Sequence, residues 1–303
     1  MSDTAMLRSD SALVADQRAA IGRALAALCD RGLGAVGARV GDAIRYSLLG
    51  EGKRLRGTLV LSAFEAASGV GEASDLAAAV EVVHAYSLVH DDLPCMDDDD
   101  VRRGRPTVHR VYGVAIATAA GLAMVPLAAR CAAESARALG LDDAAVGAIV
   151  VELMQASGAG GMIGGQLLDL EGEGRPLGLA ELERIHRAKT GALITAAATL
   201  GGRAASASPE RLAALARYGA AVGLAFQIAD DVLDVTATTD QLGKTAGRDL
   251  ALQKSTYPAL LGVAGAKQRA EALIDEGCRA LEVVGLLTPS LARIARFTVE
   301  RTS

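Results

Sequence analysis

The sequence predicts an all-α protein, a single large helical bundle forming one domain over residues 1–303. Three observations predict it. Ala and Leu, both strong helix formers, dominate a chain that is 51% hydrophobic. Runs rich in Val, Ile, Thr and aromatics, the signature of strands, are nearly absent; Trp is missing, and there are only three Phe and five Tyr. Turn signals rich in Gly, Pro, Ser or Asp then cut the chain into helix-length intervals, at residues 68–75, 139–143, 171–178, 201–210 and 236–243.

The intervals carry the helical period. Leu76, Val80, Val83 and Ser87 predict one apolar face of a helix that runs toward residue 90. Residues 114–129 are apolar throughout, but that is short of the roughly 20 residues a membrane-spanning helix needs. The stretch is rich in Ala with Thr118, Gly121 and Pro126 inside it, so a buried core helix is expected and no stable membrane insertion. No break is long enough to be a linker between domains, which predicts one bundle.

Composition excludes several classes of function. The net charge is −5 with no basic stripe, so no nucleic-acid partner is expected. Cys29, Cys95, Cys131 and Cys278 are scattered, with no Cys-x-x-Cys pair, which argues against a zinc site or a disulfide framework and for reduced thiols. The first ten residues contain acids and no apolar core, unlike a secretory signal, and a cytoplasmic protein is expected.

The chemistry concentrates in two acidic clusters. Residues 90–106, HDDLPCMDDDDVRRGRP, hold six Asp and three Arg in seventeen positions. Such crowding is unfavourable unless something from outside the chain neutralises it. Pro94 ends or kinks the helix carrying Asp91 and Asp92, so spacing alone does not arrange Asp97 to Asp100. In the second cluster, FQIADDVLDV, Asp230 and Asp234 are four apart and share a helix face, which Gln227 joins at i−3. Carboxylates are hard ligands suited to Mg²⁺, which keeps waters and completes its shell with substrate phosphate. The alternating pattern of a Ca²⁺ loop is missing. Cations stand where a diphosphate needs them: Arg102 and Arg103 after the first cluster, Lys244 and Lys254 after the second, and Lys53, Arg54, Arg56 and Lys189 elsewhere. Together these residues predict a Mg²⁺ cradle with cations that hold the phosphates the metal bridges.

These motifs resemble the short-chain trans-polyprenyl diphosphate synthases, and most of all the bacterial farnesyl diphosphate synthases. Residues 84–109 match the family's first aspartate-rich motif and 226–258 the second; GKRLR (52–56), GMIGGQLLDL (161–170) and KTGALI (189–194) match further blocks in order. The resemblance implies the isoprenoid synthase fold, a helical bundle around a central cavity, in a homodimer. It implies three Mg²⁺ ions, with Mn²⁺ as an alternative: Asp91 and Asp97 bind two, with Asp92 in support, and Asp230 a third, with Asp231 and Asp234 nearby. Arg102, Lys189, Lys244 and Lys254 then grip an allylic diphosphate, while Lys53, Arg56, His84 and Arg103 bind isopentenyl diphosphate. Thr190 and Gln227 lie beside the allylic carbon and stabilise its cation. The implied reaction is ionisation of dimethylallyl or geranyl diphosphate, attack by isopentenyl diphosphate, and loss of a proton to the departed diphosphate, since no side-chain base is evident. It needs a dry apolar cavity.

Product length is expected from the helix before Asp91. Tyr86 lies five residues upstream, about 7.5 Å along the axis, and by resemblance forms the floor under a short isoprenoid tail. Ser87, at i−4, lies directly below Asp91 on the wheel. Farnesyl diphosphate is the expected product, with geranylgeranyl diphosphate the alternative. A terpene cyclase needs no second diphosphate site, and a non-catalytic partner subunit is expected to lose acids from one cluster; both cation sets and both clusters are present here. Two positions depart from the family pattern: Leu122 stands where an Asp is usual, and Gly57 where a Pro is usual.

Overall fold

A computed structural model describes residues 3–236 and 255–300. Helix dominates it throughout, as composition predicts. The chain divides into two compact units, Met1–Met154 with Leu200–Ala207, and Gln155–Thr199 with Ser208–Ser303.

The first unit is organised around one helix. It contains α1 (Asp3–Gly32), α2 (Ala38–Leu48), α3 (Leu55–Ala66), α4 (Ser74–Asp91), the short α5 (Val108–Tyr112), α6 (Val114–Ala138) and most of α7 (Asp143–Ser157). Helix α4 packs against α1, α3 and α6. The sequence predicted one apolar face on α4, but every residue from Leu76 to Val83 is buried, Glu81 included. A helix that is apolar around its whole circumference belongs in the middle of a bundle. It ends at Asp91, before Pro94, as the proline requires.

Helix α6 corrects an expectation. It is buried on only one face, through Ala117, Ala120, Gly121, Met124, Leu127 and Ala128. Val114 and Leu122 on the other face are exposed, Leu122 by 63%. Pro126 lies on that exposed side of the helix. Val114–Ala138, Asp143–Gly172 and Pro209–Thr236 are long and apolar enough to cross a membrane by length and composition alone.

No strand signature marks the two-stranded hairpin between α4 and α5. Strands β1 (Val101–Arg102) and β2 (Arg105–Pro106) pair antiparallel, Arg102 opposite Arg105. The two turn residues, Arg103 and Gly104, have φ of 54° and 72°. Positive φ at both positions suits the twist of a tight hairpin, and only the glycine adopts it without strain.

The second unit runs through α8 (Met162–Gly172), α9 (Leu179–His186), a π-helical turn (Arg187–Gly191), α10 (Ala192–Ala204, of which 192–199 belong here), α11 (Pro209–Thr236), α12 (Tyr257–Val283) and α13 (Pro289–Glu300). Helix α12 is interrupted at Gly262, whose φ is 70°. Helices α11 and α12 pair along their lengths. The predicted breaks at residues 68–75, 139–143, 171–178 and 201–210 all fall at or beside helix ends.

Candidate active site

In the first unit the acidic loop folds back over the end of α4. The Asp97 amide donates to the Asp91 carbonyl (2.8 Å) and the Asp98 amide to that of Leu93 (3.1 Å). This brings residue 97 back to residue 91, which helix spacing did not reveal. Asp98 adopts φ 51°, a conformation Asp tolerates better than most residues. Asp91, Asp97 and Asp99 are half-buried, and Asp92 is buried.

Asp92 faces Arg102, whose Nε donates to its Oδ1 at 2.6 Å, while Arg102 Nη2 reaches Asp99 Oδ2 at 3.3 Å. Burial raises the Asp92 carboxyl above its ordinary range; Arg102 opposes this, and Asp99 and Asp97 add to it. In this state Asp92 is an anchor for Arg102 at the start of the hairpin. Among the described residues no three carboxylate, imidazole or thiol groups are gathered into a ready metal site. The donors nonetheless suit Mg²⁺, which takes one or two carboxylates and completes its shell with water and phosphate.

Beside the acidic loop is a pocket lined by cations. Its walls include Arg54, His84, Asp92, Arg102, Arg103 and Arg105. The hairpin turn aims Arg103 back at the α2–α3 connection, where its Nη1 donates to the Glu51 carbonyl (2.9 Å). Burial pulls the Arg103 guanidinium below its usual value, and Arg54 adds to the shift while Glu81 offsets part of it. Burial also pushes the His84 imidazole well down, and Arg56, Arg103, Arg102 and Arg54 reinforce it. A neutral His among so many guanidinium groups marks a place where an anion is favoured.

The His84 shift has a consequence for stability. An unfolded His takes up a proton near pH 6.5, whereas the folded ring refuses it, so stability is lost as pH falls through about 6.5. The melting temperature is expected to drop between about pH 7.5 and 5.5, and to drop less in His84→Gln. Equal slopes in the two proteins would remove His84 from this account.

Arg54, read from the sequence as one more phosphate-binding cation, and Glu81, which the sequence reading passed over, hold this pocket together. Arg54, at φ 49°, donates from Nη2 to the carbonyls of Leu48 and Gly50 (both 2.7 Å), closing the C-terminus of α2. Buried Glu81 accepts from the Gly57 amide at 2.8 Å and lies 3.8 Å from Arg54. This gives Gly57 a physical role, because a Pro there has no N–H to offer Glu81. A Cβ at Gly57 would also lie 2.9 Å from Ile21 Cδ1. Leu122, the other departure, is exposed.

Tyr86 is buried, its ring edge-to-face with that of His90 (5.1 Å between centroids, 74°). His90 Nε2 lies 3.1 Å from the Thr118 carbonyl, so this pair faces α6. Burial raises the Tyr86 hydroxyl above its ordinary value, with Asp91 adding to the effect. Half-buried Ser87 spends its hydroxyl on the His84 carbonyl, 2.9 Å away.

The second unit gathers a further group. Gly223 on α11 crosses the π-turn so closely that a Cβ would lie 2.8 Å from Gly191 Cα. Gln227 lies one turn further along α11, the helix that packs on the segment carrying Lys189 and Thr190. Gly165 on α8 abuts the same segment, a Cβ there falling 2.1 Å from the Lys189 nitrogen. Gly165, in the glycine-rich run at residues 157–165, thus serves close packing. Lys189 Nζ donates to Asp169 Oδ2 at 2.6 Å. Thr190 is buried. A π-turn inserts an extra residue into a helix and recurs at functional sites; sequence periodicity does not show it.

Asp230 is half-exposed, while Asp234 on the same face is buried. Asp231 is buried elsewhere, its Oδ2 accepting from the Tyr257 amide at 2.9 Å. Lys244 and Lys254 lie outside the described residues.

Comparison with known proteins now gives these features a context. A family model described as polyprenyl synthetase matches residues 38–282. The chain is 45% identical over 267 residues to farnesyl diphosphate synthase of Escherichia coli (strain K12), covering 86% of this chain and 88% of that protein. It is 43% identical over 242 residues to geranylgeranyl pyrophosphate synthase 7, chloroplastic, of Arabidopsis thaliana, covering 78% and 69%. An apo crystal structure of an FPP/GFPP synthase from Zymomonas mobilis superposes with a TM-score of 0.82 at 32% identity, covering 95% of this chain and 99% of that one. The fold is the all-α isoprenoid synthase fold. The chain belongs to the polyprenyl synthetase family.

Proposed function

We propose that this chain condenses isopentenyl diphosphate with dimethylallyl and geranyl diphosphates, giving farnesyl diphosphate, as a single-domain cytoplasmic homodimer that uses Mg²⁺. It is a trans-prenyltransferase by its family and relatives. One observation carries the site reading. In the first unit the acidic loop and the cation pocket adjoin through the Asp92–Arg102 pair, so a place for a hard cation borders a place for an anion. A metal–diphosphate substrate demands that juxtaposition.

The residues take these roles. Asp91, Asp97 and Asp230 hold the Mg²⁺ ions, three in all, which when bound draw charge from the leaving diphosphate. Lys53, Arg56, His84 and Arg103 receive isopentenyl diphosphate; the neutral His84 ring donates or accepts a hydrogen bond without adding charge. Arg102, Lys189, Lys244 and Lys254 hold the allylic diphosphate, with Asp92 fixing Arg102 and Asp169 fixing Lys189 until it arrives. Thr190 and Gln227 flank the allylic carbon.

The exposed apolar side chains Val111, Val114 and Leu122 on α5 and α6 support a homodimer, since solvent disfavours such a face and a second subunit covers it. Sedimentation at micromolar concentration is expected to show a dimer; a monomer rejects this part.

Tyr86 supports the fifteen-carbon product, as a buried ring about 7.5 Å along α4 from Asp91. Relatives named for both farnesyl and geranylgeranyl products keep the twenty-carbon reading as the second one. Tyr86→Ala is expected to shift products to twenty carbons or more, read by chromatography of the dephosphorylated alcohols. Products that stay at fifteen carbons show that Tyr86 is not the floor.

A further inference from the structure

The second aspartate cluster contains a carboxylate that faces away from its neighbours' chemistry. Successive helix residues are rotated by about 100°, so when Asp230, Asp234 and Gln227 share one face of α11, Asp231 presents another. Its side chain is buried, and Oδ2 accepts from the Tyr257 amide at 2.9 Å and stands 3.5 Å from His186 Nε2. The His186 ring stacks on the Tyr257 ring, 5.8 Å between centroids and 16° between planes. Tyr257 is the first residue of α12, and its amide is one of the donors a helix start leaves without an intrahelical partner. An acid at that place also suits the helix dipole.

The same cluster reaches further along α9. Glu183, one turn before His186, pairs with Arg187 and Arg269, both at 3.3 Å. Burial favours its neutral form, but the nearby Tyr257 hydroxyl and the Arg187 and Arg269 guanidinium groups outweigh that and hold the carboxyl below its ordinary range. Burial raises the Tyr257 hydroxyl, with Glu183 adding to the shift. Tyr257 is therefore gripped at its amide and its ring face. The grip joins three segments: α11 next to Asp230, the end of α9 where the π-turn with Lys189 and Thr190 begins, and the start of α12.

We infer that Asp231, with His186, is a positioning residue that locks the start of α12 and the π-turn to α11, and that it is not a ligand of the metal. The inference rests on the proposed metal role of Asp230 for its comparison. Asp231→Asn keeps an oxygen for the Tyr257 amide but loses the charge a metal ligand needs, whereas Asp231→Ala loses both.

Two measurements separate these possibilities. The first is the Mg²⁺ concentration for half-maximal turnover. It is expected to stay within about twofold of the wild type in Asp231→Asn and to rise more than about tenfold in Asp230→Asn. The second is hydrogen exchange at the Tyr257 amide in metal-free protein. Exchange is expected to quicken about tenfold or more in Asp231→Ala, to remain near wild type in Asp231→Asn, and to be untouched in Asp230→Asn. His186→Phe, which keeps a ring against Tyr257, is expected to raise the KM for the allylic substrate with an unchanged Mg²⁺ requirement. A Mg²⁺ requirement raised by Asp231→Asn as much as by Asp230→Asn overturns the inference, as does a Tyr257 amide that stays protected in Asp231→Ala. Should Asp231→Ala fail to fold, Asp231→Asn decides by its Mg²⁺ requirement. If Asp230→Asn leaves the Mg²⁺ requirement unmoved while the Tyr257 amide responds as expected, the proposed cradle fails and the positioning role stands.

Discussion

Replacing Asp91 or Asp230 by Ala is expected to cut turnover by about a thousandfold while the fold survives. Each carboxylate is proposed to hold a metal that stabilises charge developing on the leaving diphosphate. Such stabilisation is worth several kcal/mol, and each 1.36 kcal/mol changes a rate about tenfold. The stability side of the prediction is as informative. Asp91 is the last residue of α4 and half-buried, so its charge opposes the negative end of the helix dipole. Asp91→Ala is therefore expected to leave the melting temperature unchanged or slightly raised. A protein that gains stability and loses activity on losing one carboxylate holds that carboxylate for function. Near-normal turnover in either variant shows that these acids are not the cradle.

Gly165→Ala is expected to be among the most damaging single-methyl changes in the second unit. The added Cβ meets backbone rather than a movable side chain: 2.1 Å from the Lys189 nitrogen and 2.5 Å from its Cα. Either α8 or the π-turn must shift. Overpacking of this kind costs about 1–3 kcal/mol. Displacing Lys189 and Thr190 by about 1 Å is enough to slow a reaction by about a hundredfold. The variant is expected to fold with a lower melting temperature and to lose turnover well beyond that loss of stability. Wild-type kinetics in Gly165→Ala place the π-turn outside the reaction.

Much of this molecule was legible because helix-forming composition, turn residues and the two aspartate clusters are local signals. The end of α4 before Pro94 and the breaks near residues 68–75 and 171–178 follow from residue chemistry alone. What stayed hidden depends on tertiary packing. Periodicity does not distinguish α4, buried on all sides, from a one-faced helix, nor α6, half-exposed, from a core helix. The return of Asp97 to Asp91 needs a loop whose path only the surrounding structure fixes. The hairpin at Arg103–Gly104 is too short to carry a strand signature. Arg54 looked like one more phosphate-binding cation beside Lys53 and Arg56, yet its guanidinium closes α2. Asp231 looked like a twin of Asp230, but the helix rotation between adjacent residues turns it to His186 and Tyr257.

The central claim is that this chain elongates an allylic diphosphate by isopentenyl units in a Mg²⁺-dependent reaction. The most direct test incubates the purified protein with Mg²⁺, isopentenyl diphosphate and dimethylallyl diphosphate, and identifies the products by mass spectrometry. Farnesyl diphosphate is predicted, and its formation is predicted to stop when a chelator is added. Isopentenyl diphosphate left unconsumed with both dimethylallyl and geranyl diphosphate, in the presence of Mg²⁺, would contradict the account.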